Sequence, residues 1–84
     1  MRDPRSPEIM AWVRRLPPRD RLATMYAMSA AFPVLKNDRE WTRRIDAGVT
    51  ELNPTQREHA DIMTEAGRIS RALKQQIKSD EPDE

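Results

Sequence analysis

The amino-acid sequence predicts an all-α fold, on three observations. Apolar residues recur every three or four positions, as on one face of a helix, and the period-two alternation typical of strands is missing. Seven prolines and only two glycines punctuate the chain, with prolines where helices are expected to start. The length of 84 residues suffices for one small domain. We therefore expect a bundle of four helices in a single domain over residues 1–78, followed by a disordered acidic tail over 79–84.

The first predicted helix covers about residues 7–16. Ser6 is placed to cap it, and Pro7 takes the first helical position, where its missing N–H costs nothing. One apolar stripe follows at helical spacing, formed by Ile9, Trp12, Val13 and Leu16. Pro17-Pro18 ends this helix, because the residue before a proline is disfavoured in the helical region.

The second predicted helix, at about residues 18–31, has the composition of a buried helix. It carries large apolar residues padded by four alanines, and the large ones are Leu22, Met25, Tyr26 and Met28. Phe32-Pro33 ends the helix. Val34 and Leu35 are then expected to lie in a short connector against the core.

The third predicted helix covers about residues 38–52. Asn37 and Glu40 resemble a capping box, with Asn37 as the cap. Its apolar positions are spaced by four, four and three residues, at Trp41, Ile45, Val49 and Leu52. Gly48 costs about 1 kcal/mol relative to alanine within a helix, so it marks an expected close approach of another helix.

The fourth predicted helix, at about residues 54–77, is the longest. Asn53 is its expected cap, with Pro54 at the first position. Its apolar stripe of Ile62, Ala66, Ile69, Leu73 and either Gln76 or Ile77 has the spacing of a helix that meets another helix. Gly67 is its weak point, where the segment can divide in two. Since small domains bury only about 60% of their unfolded surface, we expect a homodimer through this helix.

The formal charge of +1 conceals two opposite regions. Residues 1–78 carry +5, and the tail over 79–84 carries −4. Of the fifteen basic residues twelve are arginines, whose planar guanidinium suits carboxylates and phosphates. A GC-rich genome explains the same bias equally well.

Several function classes find no support in the residues. Cysteine is absent, so there is no disulfide, thiolate metal site or cysteine nucleophile. His59 is the only histidine, and its neighbours one helical turn away, Thr55 and Met63, supply no acid. There is no phosphate-binding loop and no metal-ligand spacing. We therefore expect no catalytic residue, no cofactor and no metal, hence no enzyme.

The chain also shows no sign of export or of membrane insertion. No apolar run approaches the roughly 18 residues that a membrane span needs, and the first residues lack the apolar core of a signal peptide. We therefore expect a cytoplasmic protein that does not bind membranes.

Basic residues form three candidate contact surfaces. One lies at the Pro17-Pro18 corner, and another lies on the outer side of the third helix. The last is a stripe of cations at steps of three, three and four, namely Arg68, Arg71, Lys74 and Lys78. Such a stripe is compatible with phosphates and equally with a solvated interface. The predicted partner-binding residues are Met10, Arg14, Arg15, Arg19, Arg43, Arg68, Arg71 and Lys74.

Two short segments resemble DNA-binding domains. The run from Leu16 to Arg21, LPPRDR, resembles the opening of the first helix in the DNA-binding region of sigma factors. The run from Leu52 to Glu58, LNPTQRE, is similar to the same opening in response-regulator helix-turn-helix domains. The second resemblance implies a turn over residues 66–70 and a reading helix over 71–78. Each covers about a dozen residues, and neither continues into the family's full pattern, so the chain is assigned to neither.

We expect a non-enzymatic helical interaction protein of bacterial or phage type that regulates or inhibits a larger host protein. Its candidate anchors are Met10, Trp12, Tyr26 and Trp41, since such side chains are enriched at interfaces. The alternative is a small helix-turn-helix-like DNA-binding regulator that reads nucleic acid through the Arg68–Lys78 helix. A virion assembly component would fit the same size and helicity.

Overall fold

The computed structural model describes residues 4–80, which form five helices and no strand. The helices are α1 (Pro7–Arg15), α2 (Pro18–Ala31), α3 (Pro33–Lys36), α4 (Arg39–Leu52) and α5 (Gln56–Asp80). The all-α class is confirmed, but the expected count of four helices is wrong. The connector after Phe32 is itself a helical turn, because Pro33 suits a first helical position and the Leu35 N–H donates to the Phe32 carbonyl at 3.0 Å. The tail was expected to be disordered from residue 79, but α5 continues through residue 79 and ends at Asp80, and residues 81–84 lie outside the described residues.

The beginning of the chain follows the predicted rules. The Ser6 hydroxyl accepts a hydrogen bond from the Ile9 N–H at 3.4 Å, and Pro7 stands in the first turn of α1. The helix ends at Arg15, one residue earlier than predicted, because Leu16 is already extended before Pro17. Pro18 then begins α2 as expected.

The cap of α4 is Asp38, so the expected cap at Asn37 is wrong by one residue. The Asp38 carboxylate accepts hydrogen bonds from the N–H groups of Glu40 at 3.0 Å and Trp41 at 3.2 Å. Asn37 belongs to the turn that closes α3. A carboxylate at this position also interacts favourably with the positive end of the helix dipole.

The expected cap of the last helix at Asn53 is also wrong. Asn53 closes α4 instead, in the left-handed region at φ 47° and ψ 57°, which asparagine tolerates better than most residues. Thr55 caps α5 through a reciprocal box with Glu58. The Thr55 hydroxyl accepts from the Glu58 N–H at 3.1 Å, and the Thr55 N–H donates to the Glu58 carboxylate at 3.3 Å.

The helix α2 is the centre of the described bundle, because it packs against each of the other four helices. Its small residues Ala23 and Ala27 are buried, which allows a neighbouring helix to come close. The helix α5 packs along α2 and makes no backbone approach to the other described helices. The largest fully buried side chains come from four different helices and are Val13, Leu22, Leu35 and Ile62.

The two glycines, Gly48 and Gly67, have different surroundings. A Cβ added to Gly48 would lie 3.4 Å from the Cδ1 of Leu22, so Gly48 faces α2, at a distance that a Cβ could also occupy. A Cβ at Gly67 would meet nothing within 4 Å, and α5 continues through that position without the expected division. Since Trp41 lies beside Ser29 and Gly48 beside Leu22, α4 runs antiparallel to α2.

The two tryptophans have opposite environments. Trp41 is 2% exposed, and its indole Nε1 donates to the Ser29 hydroxyl at 2.7 Å. Ser29 donates in turn to the Met25 carbonyl at 3.1 Å. Trp12 is 53% exposed, so its expected place on the core stripe is wrong.

The direction of the α1 side chains explains the exposure of Trp12. Each residue turns the helix by about 100°, so Trp12 lies about 100° from the fully buried Val13, whereas Met10 lies about 60° from it. Met10 therefore packs against the core together with Ile9, which lies about 40° from Val13 on its other side.

Trp41→Ala should lower the free energy of unfolding by about 3–5 kcal/mol, because it empties a buried site. Trp12→Ala is the matched control and should cost less than about 1 kcal/mol. Ser29→Ala should cost about 1–3 kcal/mol, because it leaves the buried indole N–H of Trp41 without an acceptor. Urea titrations followed by circular dichroism measure all three, and equal costs for the two tryptophans would contradict this packing.

The Asp38 cap of α4 predicts that the free energy of unfolding depends on pH. The Arg5 guanidinium, 2.8 Å from Asp38, and the N–H groups at the start of α4 hold the pKa of Asp38 below its ordinary value. The ionised carboxylate therefore contributes stability above its unfolded pKa of about 3.9, and that contribution is lost as the pH falls through the lower folded pKa. The wild type should exceed Asp38→Asn in unfolding free energy near neutral pH, and this difference should shrink as the pH falls below the unfolded pKa of about 3.9. A difference independent of pH would contradict the role of the charge.

Candidate functional site

A groove lies between α1 and α4, with residues of α2 between them. The backbones of α1 and α4 do not approach each other, because both helices rest on α2. The groove has a volume of about 360 Å³. Its apolar part is formed by Met10 and Val13 of α1 and by Leu22 and Met25 of α2. The α4 side is lined by the small residues Ala47 and Gly48, so that wall is low.

Three arginines and one acid also line the groove. Arg14 comes from α1, Arg21 from α2 and Arg44 from α4, while Glu51 is the carboxylate. Among the described residues Arg14 and Arg21 form no ion pair, and Arg44 lies 3.4 Å from the Glu40 carboxylate. The groove is therefore apolar and positively charged at once.

Arg21 is the most constrained of these cations. Its Nη2 donates to the Leu16 carbonyl at 3.3 Å, which fixes the guanidinium against the end of α1. Its Nε is buried and has no hydrogen-bond partner within residues 4–80. A buried donor without a partner costs about 1–3 kcal/mol, so this guanidinium is incompletely satisfied in the described structure.

A second recess of about 370 Å³ adjoins the first and extends it towards the start of α4. The two share Met10, Arg14 and Arg44. From Glu40 to Glu51 the α4 wall is about 16 Å long, since an α-helix rises 1.5 Å per residue. The second recess adds Arg5 and Asp38, which already pair with each other, and the edge of the buried Trp41.

Of the predicted partner-binding residues, the structure brings Met10 and Arg14 together in this groove. Arg15 and Lys74 are exposed elsewhere on the surface. The remaining four are exposed and near acceptors of their own, namely Arg19 with Asp61 (3.9 Å), Arg43 with Glu40 (3.9 Å), Arg68 with Glu65 (3.3 Å) and Arg71 with the Gly67 carbonyl (3.4 Å). Two of the eight predicted partner-binding residues therefore lie in the groove, and six lie outside it.

Arg21 and Arg44 belong to the two basic clusters that the sequence indicated at the Pro17-Pro18 corner and on the third predicted helix, but they were not among the predicted partner-binding residues, and Glu51 was not singled out. One usable signal was Gly48, which was singled out in the sequence and faces Leu22 of α2. Arg44 stands one helical turn before it, on the same face of α4. The cluster at the Pro17-Pro18 corner included Arg21, but its contact with the Leu16 carbonyl depends on where α1 ends.

The predicted cationic stripe on α5 is present as a separate surface. Arg68, Arg71, Lys74 and Lys78 are all exposed, and no acid lies between Glu65 and Asp80 in the sequence. The neighbouring Ile69 and Leu73 are half-buried against the core. The stripe therefore has charge but no apolar recess of its own.

His59 is half-buried and packs edge-on against Tyr26, with ring centroids 6.1 Å apart and planes at 81°. Burial, with a smaller contribution from the nearby charge of Asp46, raises the pKa of Tyr26 above its ordinary value. Within residues 4–80 no three histidine or acidic side chains are grouped so as to hold a metal ion. In the same part of the chain, no helix is both long and apolar enough to span a membrane.

No family model, curated protein or solved structure matches this chain.

Proposed function

We propose that this protein is a non-enzymatic interaction protein that binds a larger protein through the groove between α1 and α4. The main support for this proposal is that a single groove combines an apolar recess with three arginines. Methionine and arginine are enriched at protein interfaces, where apolar anchors fill pockets and charges fix the orientation. We place it in the cytoplasm as a small regulator or inhibitor of bacterial or phage type.

The shape of the groove favours a polypeptide over a small molecule. Small-molecule sites enclose most of their ligand's surface. Here the α4 wall is low at Ala47 and Gly48, and the second recess continues the groove along the helix. A chain segment lying along α4 would use both recesses together.

Photo-cross-linking inside the cells that express the protein tests this function. With p-benzoylphenylalanine in place of Met10, or of Ala47 on the opposite wall, we expect one discrete adduct with another protein. The same group in place of Gln75, an exposed residue of α5, is the matched control and should give no such adduct. If both groove positions give no protein adduct, the proposed function is wrong.

A second candidate function rests on the stripe of α5. Its four exposed cations and the absence of an acid among them favour phosphates, as in a DNA-binding regulator. Two copies joined through α5 would double the number of phosphate contacts. Such binding needs no apolar recess, which agrees with the surface that the stripe offers.

Two variants that remove the same amount of charge separate these functions. The groove variant is Arg14→Ala with Arg44→Ala, and the stripe variant is Arg71→Ala with Lys74→Ala. If the stripe binds duplex DNA, a gel-shift assay at low salt should show binding that falls steeply as salt is raised. The stripe variant should then bind more weakly, while the groove variant keeps its affinity. No shift at low salt, or equal losses in both variants, would contradict DNA binding through the stripe.

A further inference from the structure

We propose that the groove binds an acidic amphipathic helix of the partner protein. This inference rests on the proposed function and specifies the chemistry of the segment that is bound. The occupant would insert apolar side chains beside Met10, Val13 and Met25 and direct carboxylates at the arginines of the groove.

Charge complementarity is the first reason. The first recess holds three cations and one carboxylate. The second adds Arg5 and the carboxylates of Asp38 and Glu40, which already face Arg5 and Arg44. Neither Arg14 nor Arg21 has a carboxylate partner within the described residues. They are therefore available to an incoming anion without breaking an ion pair among the described residues. Guanidinium groups bind carboxylates through two parallel hydrogen bonds, which fixes the register of the bound segment.

The local geometry of Arg21 is the second reason. Its buried Nε lacks an acceptor, while its Nη2 is held on the Leu16 carbonyl. The guanidinium is thus partly immobilised before binding, so little conformational entropy remains to be lost when a carboxylate arrives. We assign Arg21 the role of a positioning contact for one acidic side chain.

The dimensions of the groove favour a helix. Its α4 wall of about 16 Å matches three turns of an α-helix. Two helices that stand apart on a third form a cradle, and amphipathic helices bind such cradles through anchors spaced by three, four and seven residues. The two adjoining recesses would take successive anchors of that kind.

Nucleic acid fits the groove less well than an acidic helix does. A phosphate backbone would satisfy the arginines but would leave the apolar lining without a partner. An acidic amphipathic helix supplies carboxylates and apolar side chains from one surface. The combination of lining residues therefore selects a protein segment.

A displayed library of random peptides about 15 residues long, some four helical turns, is the probe. Selection on the full-length protein should enrich peptides that combine Asp or Glu with apolar residues spaced by three and four. The enriched peptides should bind at least about tenfold more weakly to the groove variant, as expected for the loss of charge-assisted hydrogen bonds. The stripe variant is the charge-matched control and should keep its affinity. Arg21→Lys, which keeps the charge but loses the planar fork, should weaken binding several-fold.

Other outcomes would overturn the inference. Selected peptides that lack acidic residues, or that bind the groove and stripe variants equally, would contradict it, and so would a failure to select any binder. Circular dichroism of each variant checks that the fold is retained. Mapping the adduct formed at position 10 then separates the two levels of the proposal. A cross-linked protein segment without carboxylates would refute the acidic helix and leave the proposed function standing, whereas no adduct at all would refute both.

Discussion

The packing of four helices onto α2 is the constraint on which the rest of the structure depends. A chain of 84 residues has little apolar material, and here one helix lies at its centre, with Leu22 almost fully buried and Ala23 and Ala27 beside it. Because α1 and α4 both pack on α2, they need not contact each other. The groove between them is thus a consequence of how the core is built. On the α4 side the groove is bounded by Gly48, which lies against Leu22 of α2.

The helix starts were largely predictable because proline and the capping side chains act locally. Ser6 and Pro7 needed no tertiary information, and neither did Pro18. The errors at Asn37 and Asn53 arose where two candidate caps stood close together and the geometry of the preceding turn decided between them. A helix of four residues such as α3 has too few positions to show any periodicity, so it could not be seen in the sequence.

The groove was less predictable than the fold because it is made by residues distant in sequence. Met10 and Arg14 were both predicted as contact residues and both line the groove, but Arg21 and Arg44, which line it with them, come from two other helices. Arg19 was also predicted as a contact residue but lies outside the groove, near Asp61 of α5, a neighbour that no local pattern reveals. Helical spacing also placed Trp12 in the core, although the short α1 buries only a narrow arc around Val13. Local spacing gives the face of a helix, and packing decides how wide the buried part is.

The two cationic surfaces differ in a way that bears on their ligands. In the groove the arginines surround apolar side chains, so an occupant must bury carbon as well as present anions. On α5 the cations stand on an exposed helix face, while Ile69 and Leu73 already pack against the core. Affinity at the stripe would therefore come from charge alone and would be screened by salt, whereas affinity at the groove would retain an apolar part at high salt. The ionic-strength dependence of binding thus follows from which surface is used, because only one of them offers apolar area to a partner.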